Sequence, residues 1–307
     1  MSICFYCGVQ HTNEAVINAF AEDDVEQKTA VEQMDSLIKE EKDKEFKSLL
    51  NVKKDSLKLE DTLSTRLEKS LTEAKSSLVK AVKKILSEGK GEYLLTLTPE
   101  QLNNYLIEKG LGTALVTLNN AQLDIRDLVV TNIRLFKPSF SVQNVSLFPF
   151  LKTTTTESVF NDSILSATSK TLKDSIVTAA TTGNASLAIK QLEENLAKAT
   201  GTQVAEAKLK IAEMNRSLTA TSAEAAGLEY FYYSGPKDNI TRPFCRKLIG
   251  KVVTASDINK LNNGIAGSSA LMQGGGYNCR HSWTAVSKEF CDRLNLPILT
   301  TAEVKKI

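Results

Sequence analysis

The sequence predicts a mainly α protein with long helices, followed by a small α+β domain at the C-terminal end. Three observations predict it. Chain breakers are scarce: 307 residues hold only six prolines and fifteen glycines, and aromatics make up 6%. Ala, Leu, Lys, Glu and Thr dominate instead, a mix that favours long helices over a sandwich or barrel. Apolar residues recur at helical spacing through the first two thirds of the chain. From Leu228 that pattern gives way to an aromatic run, turns and glycines.

Residues 1–21 form a segment of their own. They carry Cys4, Cys7 and His11 beside Phe5 and Tyr6. Residues 22–130 read as helical. Leu59, Leu63, Leu67, Leu71, Leu78, Val82 and Ile85 step by three, four and seven, which places one apolar stripe on a long helix. Such a stripe packs on other helices, in this chain or in a neighbour. The helix is expected to stop near Gly89–Gly91. Thr98-Pro99-Glu100 is a helix start, because Thr caps free amides and Pro is tolerated at the first helical position. That helix is expected to end at Gly110, and another to run over 113–130.

Residues 131–156 read as an irregular linker with a short strand, on the strength of Pro138–Phe140, Phe148–Phe150 and the alternating Val142, Val145 and Leu147. Helices are expected over 157–180, 185–200 and 203–227, broken at Gly183-Asn184 and Gly201. Residues 228–297 form the C-terminal domain. It should contain a strand at 229–233, a turn at 234–239 and a helix at 242–248. A strand at 251–254, a helix at 256–262 and a glycine-rich loop at 264–276 come next, then the stretch 277–286 and a last helical turn or two at 288–294. Its expected core is Phe231, Tyr233, Phe244, Leu248 and Trp283. Residues 298–307 read as an arm or frayed tail.

A formal net charge of +2 disfavours a general nucleic-acid coat, which needs a clear basic excess. No apolar run approaches the roughly 18 residues that span a bilayer, so no membrane role is expected. The opening MSICFYCGVQH lacks a basic n-region and a long apolar h-region, so no secretory signal is expected. Five cysteines suit a reducing cytosol, with thiols left free or holding metal.

Two clusters have ligand types that suit zinc: Cys245, Cys279 and His281, and separately Cys4, Cys7 and His11. Each offers three ligands; Asp238 is a candidate fourth for the first. The competing reading makes Cys245 and Cys279 buried apolar residues beside a hydrogen-bonded His281, and makes the N-terminal group a docked apolar anchor. A Cys245–Cys279 disulfide is a third reading. No cofactor is expected apart from zinc at one of these clusters. Asp238, Thr241 and Arg242 read as a turn network in which Arg242 pairs with Asp238. Gly274–Gly276 lacks the frame of a phosphate loop.

The C-terminal residues resemble a known family. They are Gly235-Pro236-x-Asp238, Thr241-Arg242-Pro243-Phe244-Cys245, Leu248-x-Gly250-Lys251, Leu261-x-Asn263-Gly264 and Gly275-Gly276-Tyr277-Asn278-Cys279-Arg280-His281-x-Trp283. Lys210–Glu213 and Arg216-Ser217 precede them on a helix. In order and spacing these resemble the head-morphogenesis family of tailed bacteriophages, the Mu-F-like minor head proteins. The resemblance covers about 200–290, and 155–200 loosely. Many of those proteins carry cysteine where His281 stands here.

The resemblance implies a minor virion protein made in the host cytoplasm and carried inside the head near the portal. It implies the portal protein as partner, with major capsid protein and self-association as further ones, and roles in head assembly, DNA packaging or DNA ejection. No enzymatic activity is expected. A second hypothesis is a small hydrolase or nuclease using Asp238, Arg242, Cys279 and His281, which a deep pocket joining them would favour. A third is contact with packaged DNA through Lys80, Lys83, Lys84 and Lys90.

Overall fold

The computed structural model describes residues 31–238, 240–265, 269–276 and 279–307. Cys4, Cys7 and His11 lie outside the described residues, as do Tyr277 and Asn278. The fold is mainly α with a small α+β module. The chain divides into two compact units, each built from separated segments.

The helical unit takes Thr62–Gln122 and Lys152–Lys210. Helix α1 covers 31–40, ahead of it in the chain. Helix α2 runs Lys44–Ser87, started by the Asp43 carboxylate accepting from the Phe46 amide. Within the helical unit its stripe of Leu63, Leu67, Leu71, Leu78 and Val82 is buried, as the spacing predicts. After α3 (Gly91–Thr96), Thr98 starts α4 (Pro99–Leu106) with a full capping box to Gln101. The helical run breaks at Gly110, as expected: its φ of 127° is non-helical, and Ile107–Leu111 is a kink after which α5 (Gly112–Arg134) begins.

Two expectations fail here. Phe148–Thr156 is a helix, α6, where irregular chain is expected. Pro149 sits in its first turn, where no amide donor is missed, and burial of Phe148 and Thr155 outweighs the weak propensity of the threonines. A π segment, Glu157–Ser166, leads into α7 (Ala167–Thr182). Helix α8 then runs unbroken over Ala185–Ala225, straight through Gly201. An interior glycine costs only about 1 kcal/mol against alanine. The neighbouring turn is tied down: the Lys75 ammonium donates to the Leu196 carbonyl, the Thr200 hydroxyl and the Gln203 side chain at 3.0, 2.7 and 2.7 Å.

The sheet-bearing unit takes Leu123–Leu151, Ile211–Ile307 and the described residues up to Asp61. Its antiparallel sheet has the order β2-β1-β3, from β1 (Tyr230–Ser234), β2 (Val252–Thr254) and β3 (Ser282–Val286). The aromatic run has the length and residue types of a strand. Its alternation decides two faces. Phe231 stands opposite Val253 and Ala285, and Tyr233 opposite Trp283. Tyr230 and Tyr232 share the other face with Val252 and Val286, packed on Leu49, Phe136 and Phe290. Short helices fill the connections: α9 (Pro243–Leu248), α10 (Ala255–Ile258), α11 (Ala270–Gln273) and α12 (Lys288–Arg293). Helix α11 lies in the stretch expected to be loop, with the Ser269 hydroxyl capping it.

The tail is not frayed. Ile298 bridges Val252 in parallel, and the Val252 carbonyl accepts from the Leu299 amide at 2.9 Å. Helix α13 (Thr301–Val304) follows, with Leu299 and Val304 buried and Thr301 donating to Asp257. Apolar burial of two side chains holds an end that composition alone marks as loose. Among the described residues, no helix is long and apolar enough to cross a membrane.

Candidate functional site

Three elements bring the chemistry together in the sheet-bearing unit. Strand β1 delivers Tyr233, α9 delivers Cys245, and the chain entering β3 delivers Cys279 and His281. All four are buried. The two sulfurs lie 3.6 Å apart as free cysteines, so the disulfide reading is not the state described. Cys279 Sγ is 3.8 Å from His281 Nδ1. The ligand atoms of Cys245, Cys279 and His281 all fall within 4.8 Å of one another. The Tyr233 phenol oxygen stands 3.3 Å from Cys245 Sγ and 3.6 Å from Cys279 Sγ.

The surrounding groups fix protonation. His281 Nε2 lies 2.7 Å from the Pro236 carbonyl, which can only accept. Nε2 therefore carries a proton, and Nδ1 is the ring nitrogen that faces Cys279. The Tyr233 and His281 rings stack at 5.6 Å with 12° between their planes. The Gly275 amide donates to Cys279 Sγ at 3.1 Å. Hydrogen bonding from Cys245, then from His281, with the nearby Arg216 charge, holds the Cys279 thiol well below its usual range. The same Cys245–Cys279 bond, with burial, pushes the Cys245 thiol up. Burial, then the two sulfurs, raises the Tyr233 phenol.

Glycines are required where the chain passes this cluster. A Cβ on Gly235 would lie 2.4 Å from His281 Cδ2, and one on Gly275 would lie 2.3 Å from Cys245 Sγ. Both side chains are packed against bare backbone.

A second shell closes round the first. Arg280 and Asp238 form a bidentate pair at 2.8 and 2.9 Å, with side chains only 9% and 10% exposed. The sequence assigns Asp238 to Arg242. Arg280 takes both carboxylate oxygens of Asp238, and Arg242 donates to the Gly275 carbonyl at 3.1 Å. Thr241 donates to Asp238 at 2.8 Å, and Arg246 donates to the carbonyls of Thr241 and Asp238. Arg216 of α8 donates to the carbonyls of Met272 and Cys279. Lys53 of α2 donates to the Arg280 carbonyl and the Ser282 hydroxyl, and burial pulls its ammonium down to about 8. Trp283 donates to the Ala270 carbonyl and lies 4.4 Å from Tyr233.

The expected core residues Phe231, Tyr233, Leu248 and Trp283 are buried, while Phe244 is half-buried. Gly250 and Gly276 sit at positive φ, at turns. Three residues at the cluster escape the sequence as site residues. Tyr233 reads as core, and only its place opposite Trp283 on β1 hints that it faces the cysteines. Arg216 and Lys53 come from distant helices, and nothing in their neighbours' sequence signals their carbonyl partners.

For a thiol-nucleophile site, Cys279 and His281 do meet. Asp238 does not orient the imidazole; the Pro236 carbonyl does. A cavity of about 30 Å³ lies near Lys53, Asn132, Asn215, Arg216 and Thr284. It has room for a water or two, and Cys279, His281 and Asp238 do not line it. The lysines considered for DNA, Lys80, Lys83, Lys84 and Lys90, are exposed in the helical unit, and Lys90 pairs with Glu88. Searches against protein-family models, curated proteins and solved structures return no match.

Proposed function

We propose that this chain is a minor head protein of a tailed bacteriophage, carried inside the head at the portal vertex. It acts in head assembly, DNA packaging or DNA delivery. One observation carries the reading: residues of the motif shared with head-morphogenesis proteins bind one another. Asp238 holds Arg280, Arg242 holds Gly275, Pro236 holds His281, and Cys245 meets Cys279. Their polar groups are used to fix backbone and neighbouring side chains inside a buried cluster, which is the behaviour of a scaffold. A catalytic constellation would turn such groups towards a substrate space.

In this reading the sheet-bearing module is a rigid knob, and the long helices supply surface for the portal, the capsid shell or further copies. The test is direct association. Purified chain and the portal protein encoded by the same genome are mixed and followed by sedimentation velocity. The expected result is a complex containing both. Separate sedimentation of the two, with the chain binding major capsid protein or nothing, contradicts the portal assignment.

A further inference from the structure

We propose that Cys245, Cys279 and His281, closed by the phenol oxygen of Tyr233, form a four-coordinate zinc site that locks the C-terminal module. The inference is independent of the portal reading, since it concerns the cluster's own chemistry.

The spacing is the first argument. In a tetrahedral site with zinc–sulfur bonds of about 2.3 Å and zinc–nitrogen or zinc–oxygen bonds of about 2.0 Å, ligand atoms sit on edges of about 3.8 Å between sulfurs and about 3.5 Å from sulfur to nitrogen or oxygen. The sulfurs are 3.6 Å apart. Cys279 Sγ to His281 Nδ1 is 3.8 Å. Tyr233 Oη to the two sulfurs is 3.3 and 3.6 Å. Four of the six edges thus lie within about 0.3 Å of a tetrahedron's, and the ligand atoms of Cys245, Cys279 and His281 all lie within 4.8 Å of one another.

The outer partners are the second argument. A zinc-bound imidazole gives its other N–H to a carbonyl or carboxylate, which sets the tautomer and aims the ring. His281 Nε2 does this with Pro236, leaving Nδ1 for the metal. The Gly275 amide already points at Cys279 Sγ, as a donor to a thiolate should. Gly235 and Gly275 leave room for the imidazole and for Cys245 Sγ by having no side chain.

Charge is the third argument. Two thiolates and a phenolate around a dication leave one negative charge. Arg216 and Lys53 hold carbonyls of the segment that carries Cys279, so positive charge faces that excess. Soft sulfur with nitrogen selects zinc over magnesium or calcium. Metal entry displaces the protons of the two thiols and the phenol to solvent, with no redox change. The metal ties α9 to β1 and to the entry to β3, two strands already paired in the sheet.

The test uses the full chain carrying Cys4→Ser and Cys7→Ser, so that the N-terminal thiols do not contribute. Metal content is measured on the purified chain, and a chelator-stripped sample is titrated with cobalt(II). About one zinc per chain is expected. The cobalt form should show thiolate charge-transfer bands and the visible absorption of tetrahedral geometry, saturating at about one equivalent. Adding Cys245→Ser and Cys279→Ser should remove both signals. Tyr233→Phe should raise the metal dissociation constant by roughly tenfold or more in chelator competition, since loss of even an outer partner costs that much. Zinc at background level together with no cobalt charge-transfer band in the chain that keeps Cys245 and Cys279 overturns the site, whether or not the serine variants fold. Unchanged affinity in Tyr233→Phe overturns the phenol as fourth ligand.

Discussion

Asp238 and Arg280 show how much depends on single side chains in the C-terminal module. Each is about nine tenths buried, and each satisfies the other through two parallel bonds. Removing one partner breaks a nine-tenths buried bidentate pair, which costs about 3–5 kcal/mol. Arg280→Ala should therefore lower the unfolding free energy of the sheet-bearing unit by about that amount in a denaturant titration. A loss within about 0.5 kcal/mol, as for an exposed pair, would contradict the burial described. At this scale the sequence was partly legible. Cys245, Cys279 and His281 stand out by residue type and spacing and meet in one place, while Asp238, the candidate fourth ligand, is held by Arg280 and Thr241 outside that cluster. Their partners do not stand out. That Arg280 takes both oxygens of Asp238 depends on the turn at Gly235-Pro236 and the entry to β3, which spacing along the chain does not report. Tyr233 carries the same aromatic signal as Tyr230 and Tyr232. Only strand register separates the one at the sulfurs from those packed on Phe46 and Phe290.

At the scale of elements, periodicity and caps were the reliable signals. The stripe from Leu63 to Val82 is buried, and Thr98 caps α4 with the expected geometry. Glycine and proline were less reliable, because packing overrides them. Gly201 lies inside α8, beside the turn that the Lys75 ammonium ties down, and Pro149 lies inside the first turn of α6. Lys75 also makes the helical unit sensitive to pH. Burial pulls its ammonium down to about 8, below the roughly 10.4 of an unfolded chain. Between those values the unfolded state binds more protons, so this group's contribution to stability rises with pH. The penalty is fully present below about pH 8. Lys75→Met should remove that slope. The difference in unfolding free energy between wild type and variant should therefore shift in favour of wild type from pH 8 to pH 10. A difference that is flat with pH would show that Lys75 keeps its ordinary proton affinity in the fold.

At the scale of the molecule, the mainly helical class with a small α+β end was legible from composition and from the change of pattern at Leu228. The assembly of the units was not. The helical unit joins 62–122 to 152–210, and the sheet-bearing unit gathers segments from both sides of these. Local patterns do not report such distant pairings. The tail shows the same limit: Leu299 and Val304 are ordinary apolar residues until β2 offers them an edge and a floor. The function proposed for the whole chain depends on place. In the proposed reading, a module whose motif residues bind one another works as part of an assembly. The most direct measurement is an asymmetric reconstruction of intact particles produced from the genome that encodes this chain, with the chain identified by a fused tag. The account predicts tagged density inside the head, beside the portal. Tagged density in the outer shell or tail fibres, or particles that lack the chain altogether, would contradict it.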